Sequence, residues 1–178
     1  MVIVGLSWLL MSLFGCLPFI ISGEIPNFFD AFFEMASGFT TTGSSIVADS
    51  TVGEGIIGGV EGLSHSILFW RSFSHWIGGM GVLVFLVALL PLSGGNNLHL
   101  MKAESPGPSV TKLVPRVRQT AILLYVIYFV MTVVEFVLLL IGGMPLFDAI
   151  NIAVATAGTG GFSNYGASVG HFDSALID

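Results

Sequence analysis

Two short runs stand apart from the rest of the chain in the chemistry they offer: Thr40-Thr41-Thr42-Gly43-Ser44-Ser45 and Gly158-Thr159-Gly160-Gly161-Phe162-Ser163. Glycine permits left-handed backbone and close approach, and threonine adds a hydroxyl oxygen to its own carbonyl. Together such residues can surround a dehydrated cation with oxygen in place of its water shell. Thr40, Thr41, Thr42, Gly43, Gly158, Thr159, Gly160 and Gly161 are therefore the candidate cation-binding residues. Thr-Gly runs also serve as plain turns between helices. Depth decides between the two uses, because irregular backbone inside a bilayer is tolerated only where protein buries it or a water-filled path runs beside it.

The segments leading into the runs are residues 28–39 (FFDAFFEMASGF) and 146–157 (LFDAINIAVATA), 12 residues each. Twelve helical residues rise about 18 Å, roughly half of a bilayer. Helix-start chemistry opens both. Pro26-Asn27 and Pro145 precede them, and Asp30 and Asp148 fall in the first turn, where the positive helix end favours a carboxylate. Their C-terminal ends, near Gly38 and Thr156, direct partial negative charge at a cation. A half-length helix running into a glycine-rich stretch makes a poor span and a good re-entrant pore loop. The two copies are related by a constant offset of 118 positions. Phe29-Asp30-Ala31 falls on Phe147-Asp148-Ala149, and Thr41, Gly43 and Ser45 fall on Thr159, Gly161 and Ser163. Six identities in 17 positions could arise by accident in apolar sequence, but the order of features repeats as well. In both copies a full span, an aspartate-led half-helix and a Thr-Gly turn follow one another, as in membrane transport proteins built from internal repeats.

Full spans need about 20 apolar residues, and three segments qualify: 2–21, 66–90 and 119–141. Residues of the types AVILMFWYC make up 54% of the 178, the mean hydropathy is +0.93, and only 9% are charged. A soluble domain carries about 25% charged residues, so a water-facing surface cannot be built from this inventory. The first span lacks the basic leader of a signal peptide, and its apolar run is too long for one. The expected fold is an all-α membrane protein of span, pore-helix and span repeats with re-entrant selectivity-filter loops. Residues 1–91 form a first repeat, with spans 2–21 and 66–90, pore helix 28–39 and filter 40–45. Residues 92–118 form a basic connection, and residues 119–178 a second repeat that stops before its last span. Four of the five basic residues, Lys102, Lys112, Arg116 and Arg118, lie in that connection, which the positive-inside rule assigns to the cytoplasm. The N-terminus is then cytoplasmic and the half-helices enter from outside. Nine of the 11 acids fall on outer loops or re-entrant segments, where they would concentrate cations at an outer entrance. Five cations cannot neutralise a phosphate backbone, which excludes nucleic acid as a partner.

Arg71 sits early in the second span, where charge is expensive and normally paired. It either braces an acid such as Glu34 of the first half-helix or snorkels to the interface beside Trp70. Glu135, inside the third span, either takes part in ion or proton transfer or is hydrogen-bonded to a neighbouring helix. Gly78, Gly79 and Gly81 offer a hinge or a close helix contact. Cys16 is the only cysteine and lies in an apolar run as a packed thiol. The four histidines show no metal spacing, and no catalytic triad or HExxH pattern occurs, so an intramembrane enzyme has nothing to work with. No GxGxxG motif occurs, and no cofactor is expected in this chain.

FFEMASGFTTTGSS, FWRSFSHWIGGMGVLVFLVALLP and ATAGTGGFSNYGASVGHFDS, in that order, resemble the Trk/Ktr/HKT superfamily of potassium-uptake proteins, nearest its bacterial TrkH branch. The resemblance covers almost the whole chain. It implies four span, pore-helix, span repeats around one pore, of which this chain carries the first and most of the second. It implies a filter glycine in each repeat, at Gly43 and Gly161, with K+ as the transported ion. A serine at the first of these positions goes with sodium transport in plant members, so Gly43 favours potassium. Gly160 and Phe162 depart from Thr42 and Ser44 of the first run, which leaves the second run's share of carbonyls open. The resemblance further implies a multi-pass protein of the inner (plasma) membrane that is a homodimer. Its basic connection would face a cytosolic ring of nucleotide-binding regulatory subunits, although that loop could equally serve topology alone. The alternative to a conducting role is a non-conducting membrane subunit or fragment of a cation transporter.

Overall fold

The computed structural model describes the backbone of residues 2–47, 59–93, 113–174 and 177, and the side chains of residues 5–47, 59–81, 119–174 and 177. Asp49, Glu54, Lys102, Lys112 and Asp178 therefore lie outside the described residues. All regular structure among the described residues is helical. Helix α1 spans Val2–Gly15, α2 Leu17–Ser22, α3 Phe28–Phe39, α4 His65–Ser93, α5 Leu113–Ile141 and α6 Leu146–Ala157. Short 3-10 turns occur at Gly59–Gly62 and Ser168–Phe172. The chain divides into two compact units, one of Met1–Gly79 with Met131–Asp178, the other of Met80–Val130. The second unit holds the end of α4 and the start of α5; both Thr-Gly runs lie in the first.

The span expected over 2–21 is not one helix but two, broken at Cys16. Pro18 has no N–H to give to the carbonyl of Phe14 and cannot continue the helix. The Phe19 N–H turns to the Cys16 carbonyl, at 3.2 Å, instead of reaching back to Gly15. The freed Gly15 carbonyl accepts from the Trp70 indole N–H of α4 at 2.9 Å. A carbonyl left open in an apolar surrounding costs as much as a lost hydrogen bond, so the break in α1–α2 and the tryptophan on α4 belong to one device. Gly15 also lacks the Cβ that would collide with Met35 and Phe39 of α3, which lets α3 pack closely against α1. Cys16, Phe19, Ile25, Ala31, Met35 and Phe39 fill the core of this contact.

Helices α4 and α5 are 29 residues each, about 44 Å of rise against roughly 30 Å of hydrocarbon. Both run past the expected span limits. Helix α4 continues to Ser93 and α5 begins at Leu113, so the connection expected over 92–118 is shortened at both ends. Leu9, Phe14 and Ile21 of the first two helices and Leu123, Phe129 and Met131 of α5 are exposed. Glu34, Arg71, His75, Asp148 and Asn151 are buried. Apolar residues outside and polar ones inside is the pattern of a chain whose solvent is lipid.

Both half-length helices start at one end of the first unit. The Ser64 N–H, just before α4, donates to Glu24, just before α3, at 2.9 Å. At the start of α4, His65 lies 4.4 Å from the Phe147 ring at the start of α6. Between Glu24 and Ser64 the chain thus descends through α3 and returns to the level it left, so α3 is re-entrant.

Candidate ion-filter site

Each half-helix ends in the same turn. After α3, the Thr41 N–H donates to Gly38 and the Thr42 N–H to Ser37, at 3.1 and 3.0 Å. After α6, the Thr159 N–H donates to Thr156 and the Gly160 N–H to Ala155, at 2.7 and 3.0 Å. These are Schellman C-caps, in which the residue after the cap is left-handed and is usually glycine. Here it is threonine both times, with φ of 54° at Thr41 and 58° at Thr159. A β-branched residue in this region is an outlier that the surroundings must enforce. Two residues on, Gly43 and Gly161 are again left-handed, with φ of 75° and 86°. The offset of 118 that relates the two sequences therefore relates the two backbones, bond for bond and turn for turn.

The caps use up the carbonyls of the last helical turn and leave those of the runs open. Among the described residues, no backbone N–H donates to the carbonyls of residues 40–43 or 158–161. The Thr40 hydroxyl donates to the Ala36 carbonyl at 2.7 Å and lies 2.8 Å from the Thr42 hydroxyl, so these side chains are partly spoken for locally. The two runs also touch. A Cβ on Gly43 would collide with the Gly160 carbonyl oxygen. Gly78 of α4 performs the same service from behind, since a Cβ there would strike the Phe39 carbonyl. The glycines of the WIGGMG stretch thus include one used for close packing of α4 on the end of α3.

An acid grips the chain beyond each run. Glu34, fully buried, accepts from the Ser45 hydroxyl at 2.9 Å and the Ile46 N–H at 2.9 Å. Arg71, 2% exposed, donates from Nε to Glu34 at 2.7 Å and from Nη2 to Ser45 at 3.0 Å. The guanidinium also lies 4.3 Å from the centroid of the Phe162 ring. Arg71 is thus inside and does not snorkel. Along the second run Asp148, also buried, accepts from the Asn164 amide at 2.6 Å and the Tyr165 hydroxyl at 3.1 Å. Burial first, and then the charge of Asp148, push the Tyr165 phenol above its ordinary value, so it stays a donor. Glu61 accepts from the Gly166 N–H at 2.9 Å, and that bond holds its carboxyl below the usual range.

The two braces use different positions of the repeat: Glu34 aligns with Ile152, whereas Asp148 aligns with Asp30. Asp30 lies in the first turn of α3 and makes no side-chain hydrogen bond or ion pair among the described residues. The Glu135 carboxyl of α5 lies near the Thr156 side chain at the end of α6. Asn164 and Tyr165 escape a search by residue type, since each is an ordinary polar side chain until an acid is seen opposite. Ser45 falls inside the expected filter 40–45 and aligns with Ser163, but its part as a partner of Glu34 and Arg71 emerges only from the fold.

Residues 2–178 match the family described as TrkH, cation transport protein. The Trk system potassium uptake protein TrkH of Escherichia coli K12 is 44% identical over 179 residues, covering 99% of this chain and 35% of that protein. An uncharacterized cation transporter of Methanocaldococcus jannaschii is 33% identical, with 99% of this chain and 35% of that one covered. The crystal structure of the potassium transporter TrkH from Vibrio parahaemolyticus superimposes with a TM-score of 0.72 at 37% identity, over 97% of this chain and 32% of that one. The chain spans about a third of the length of these relatives. It is an all-helical membrane chain of the same fold, and it belongs to the TrkH family of cation transport proteins.

Proposed function

We propose that this chain supplies two of the filter loops of a potassium permease of the cell membrane, through which K+ moves passively down its electrochemical gradient. The observation that carries the reading is the duplicated turn: strained threonines and left-handed glycines at matching positions, with the carbonyls beyond each half-helix unclaimed. Strain of this kind persists where function requires it, and unclaimed carbonyls in a protein interior are what a dehydrated cation needs. The relatives' names, potassium uptake protein and potassium transporter, point the same way. They are transporters and not enzymes, and the chain is read as a conduit with no catalytic step. Thr40, Thr41, Thr42, Gly43, Gly158, Thr159, Gly160 and Gly161 are the proposed ligands. Glu34 with Arg71, and Asp148, hold the chain beyond them. By family resemblance the transporter is a dimer, and the basic connection between α4 and α5 meets a cytosolic nucleotide-binding ring.

The test is selectivity in the complete transporter that contains this chain, reconstituted in liposomes. A side chain at Gly43 meets both a left-handed backbone and the Gly160 carbonyl. Left-handed strain alone is about 1–2 kcal/mol, which is about tenfold in an equilibrium. Gly43→Ser is expected to lower the preference for K+ over Na+ by at least that factor. An unchanged ratio of the two fluxes removes Gly43 from the filter.

A further inference from the structure

Helix α4 carries Arg71 and His75 one turn apart, and both lie against Phe162 of the second run. The Arg71 guanidinium is 4.3 Å from the ring centroid, and the His75 ring meets it edge-on at 4.1 Å. Arg71 is at the same time bonded to Glu34 and Ser45 of the first repeat. His75 is wholly buried, and neither ring nitrogen makes a hydrogen bond of ordinary geometry among the described residues. Buried polar atoms are normally satisfied, so a histidine kept here without partners is kept for its shape. Its ring fills the place a Cβ on Gly160 would need, and its backbone carbonyl fills that of a Cβ on Gly158.

The two runs differ at three places: Gly158 stands for Thr40, Gly160 for Thr42 and Phe162 for Ser44. All three abut His75, Gly158 its backbone carbonyl and the other two its ring. The removal of a side chain at Gly160 makes room for the imidazole, and the addition of a phenyl at Phe162 closes over its edge, in the orientation that aromatic pairs favour. The second run is therefore cut to fit one residue of the first repeat's closing helix.

We propose that His75 and Phe162 are positioning residues that key the second filter run to the first through α4, and so set how sharply the pore distinguishes K+ from Na+. The proposal rests on the filter reading above. Close-packed interiors transmit small shifts, and Phe162 is clasped between a guanidinium bonded to the first run's support and an imidazole lodged under the second run. Loosening either contact lets the two sets of carbonyls move independently.

The experiment measures KM for K+ and for Na+ in the complete transporter in liposomes, with Gly43→Ser beside the new variants. Phe162→Leu and His75→Ala are each expected to lower the K+ preference about tenfold. The double variant falls no further than either single one, and Phe162→Tyr, which keeps the ring, retains the preference. Gly160→Ala is expected to stop uptake in the native background and to cost little more in the His75→Ala background, where the methyl has room. A merely structural role would lower the amount of active protein without altering the KM ratio. An unchanged ratio in Phe162→Leu and His75→Ala, with Gly43→Ser still altering it, overturns the proposal and leaves the filter reading standing; so do additive losses in the double variant. Unchanged ratios in all three, Gly43→Ser included, overturn both. If Phe162→Leu does not assemble, Phe162→Met carries the same expectation.

Discussion

Arg71 is worth most to the site as a planar, doubly bonded group. It is 2% exposed, and its guanidinium reaches Glu34 through one nitrogen and Ser45 through another while its face covers Phe162. A buried ion pair is costly to form, but removing one partner strands the other and costs about 3–5 kcal/mol. Arg71→Gln leaves the Glu34 carboxylate without a counter-charge and is expected to cut assembly and thermal stability in detergent by an amount of that order. Arg71→Lys keeps the charge but loses the fork and the stacking face, so it should lie between the parent and Arg71→Gln. If both variants melt and transport like the parent, the pair is dispensable. The sequence made Arg71 conspicuous because charge inside a span is rare. It left Asn164 and Tyr165 inconspicuous, since only folding brings them to within 2.6 and 3.1 Å of Asp148.

At the level of elements, periodicity and caps were informative and breaks were not. Asn27 caps α3 by accepting from the Phe29 N–H at 3.0 Å, and Thr-Gly chemistry ends both half-helices, so α3 and α6 could be read from their own residues. The break at Cys16 has a local cause in Pro18, but the donor that satisfies the opened Gly15 carbonyl is a tryptophan 55 positions away, and nothing local announces it. Trp70→Phe leaves that carbonyl buried without a donor, a loss of about 1–3 kcal/mol, expected as a lower thermal midpoint in detergent. Pro18→Ala lets α1 and α2 run together and returns the Gly15 carbonyl to the Phe19 N–H. In the Pro18→Ala background Trp70→Phe should therefore cost measurably less. Equal losses in both backgrounds would mean that the tryptophan acts through packing alone. Helices α4 and α5 outrun the expected spans because those spans follow hydrocarbon thickness, and the apolar stretch of α5 is the expected 119–141, whereas a helix continues into the polar phase as long as its backbone bonds can.

For the whole molecule the open quantity is direction across the membrane. The outer placement proposed for both half-helices rests on four basic residues in the connection between α4 and α5. One end of the first unit gathers Glu24, Ser64, His65, Phe147, Glu61 and Gly166, whichever side it faces. Single-cysteine labelling can assign that side once any cysteines outside these 178 residues are replaced, because Cys16 is the one cysteine within them and is fully buried, which keeps the background low. Ala167→Cys, exposed at the gathered end, should be blocked in intact cells by a membrane-impermeant maleimide. Ser109→Cys, in the basic connection, should be blocked only by a reagent that crosses the membrane. The opposite pattern would invert the protein, put the half-helices' entrances in the cytoplasm, and remove the argument that outer acids concentrate the ion before it reaches the filter.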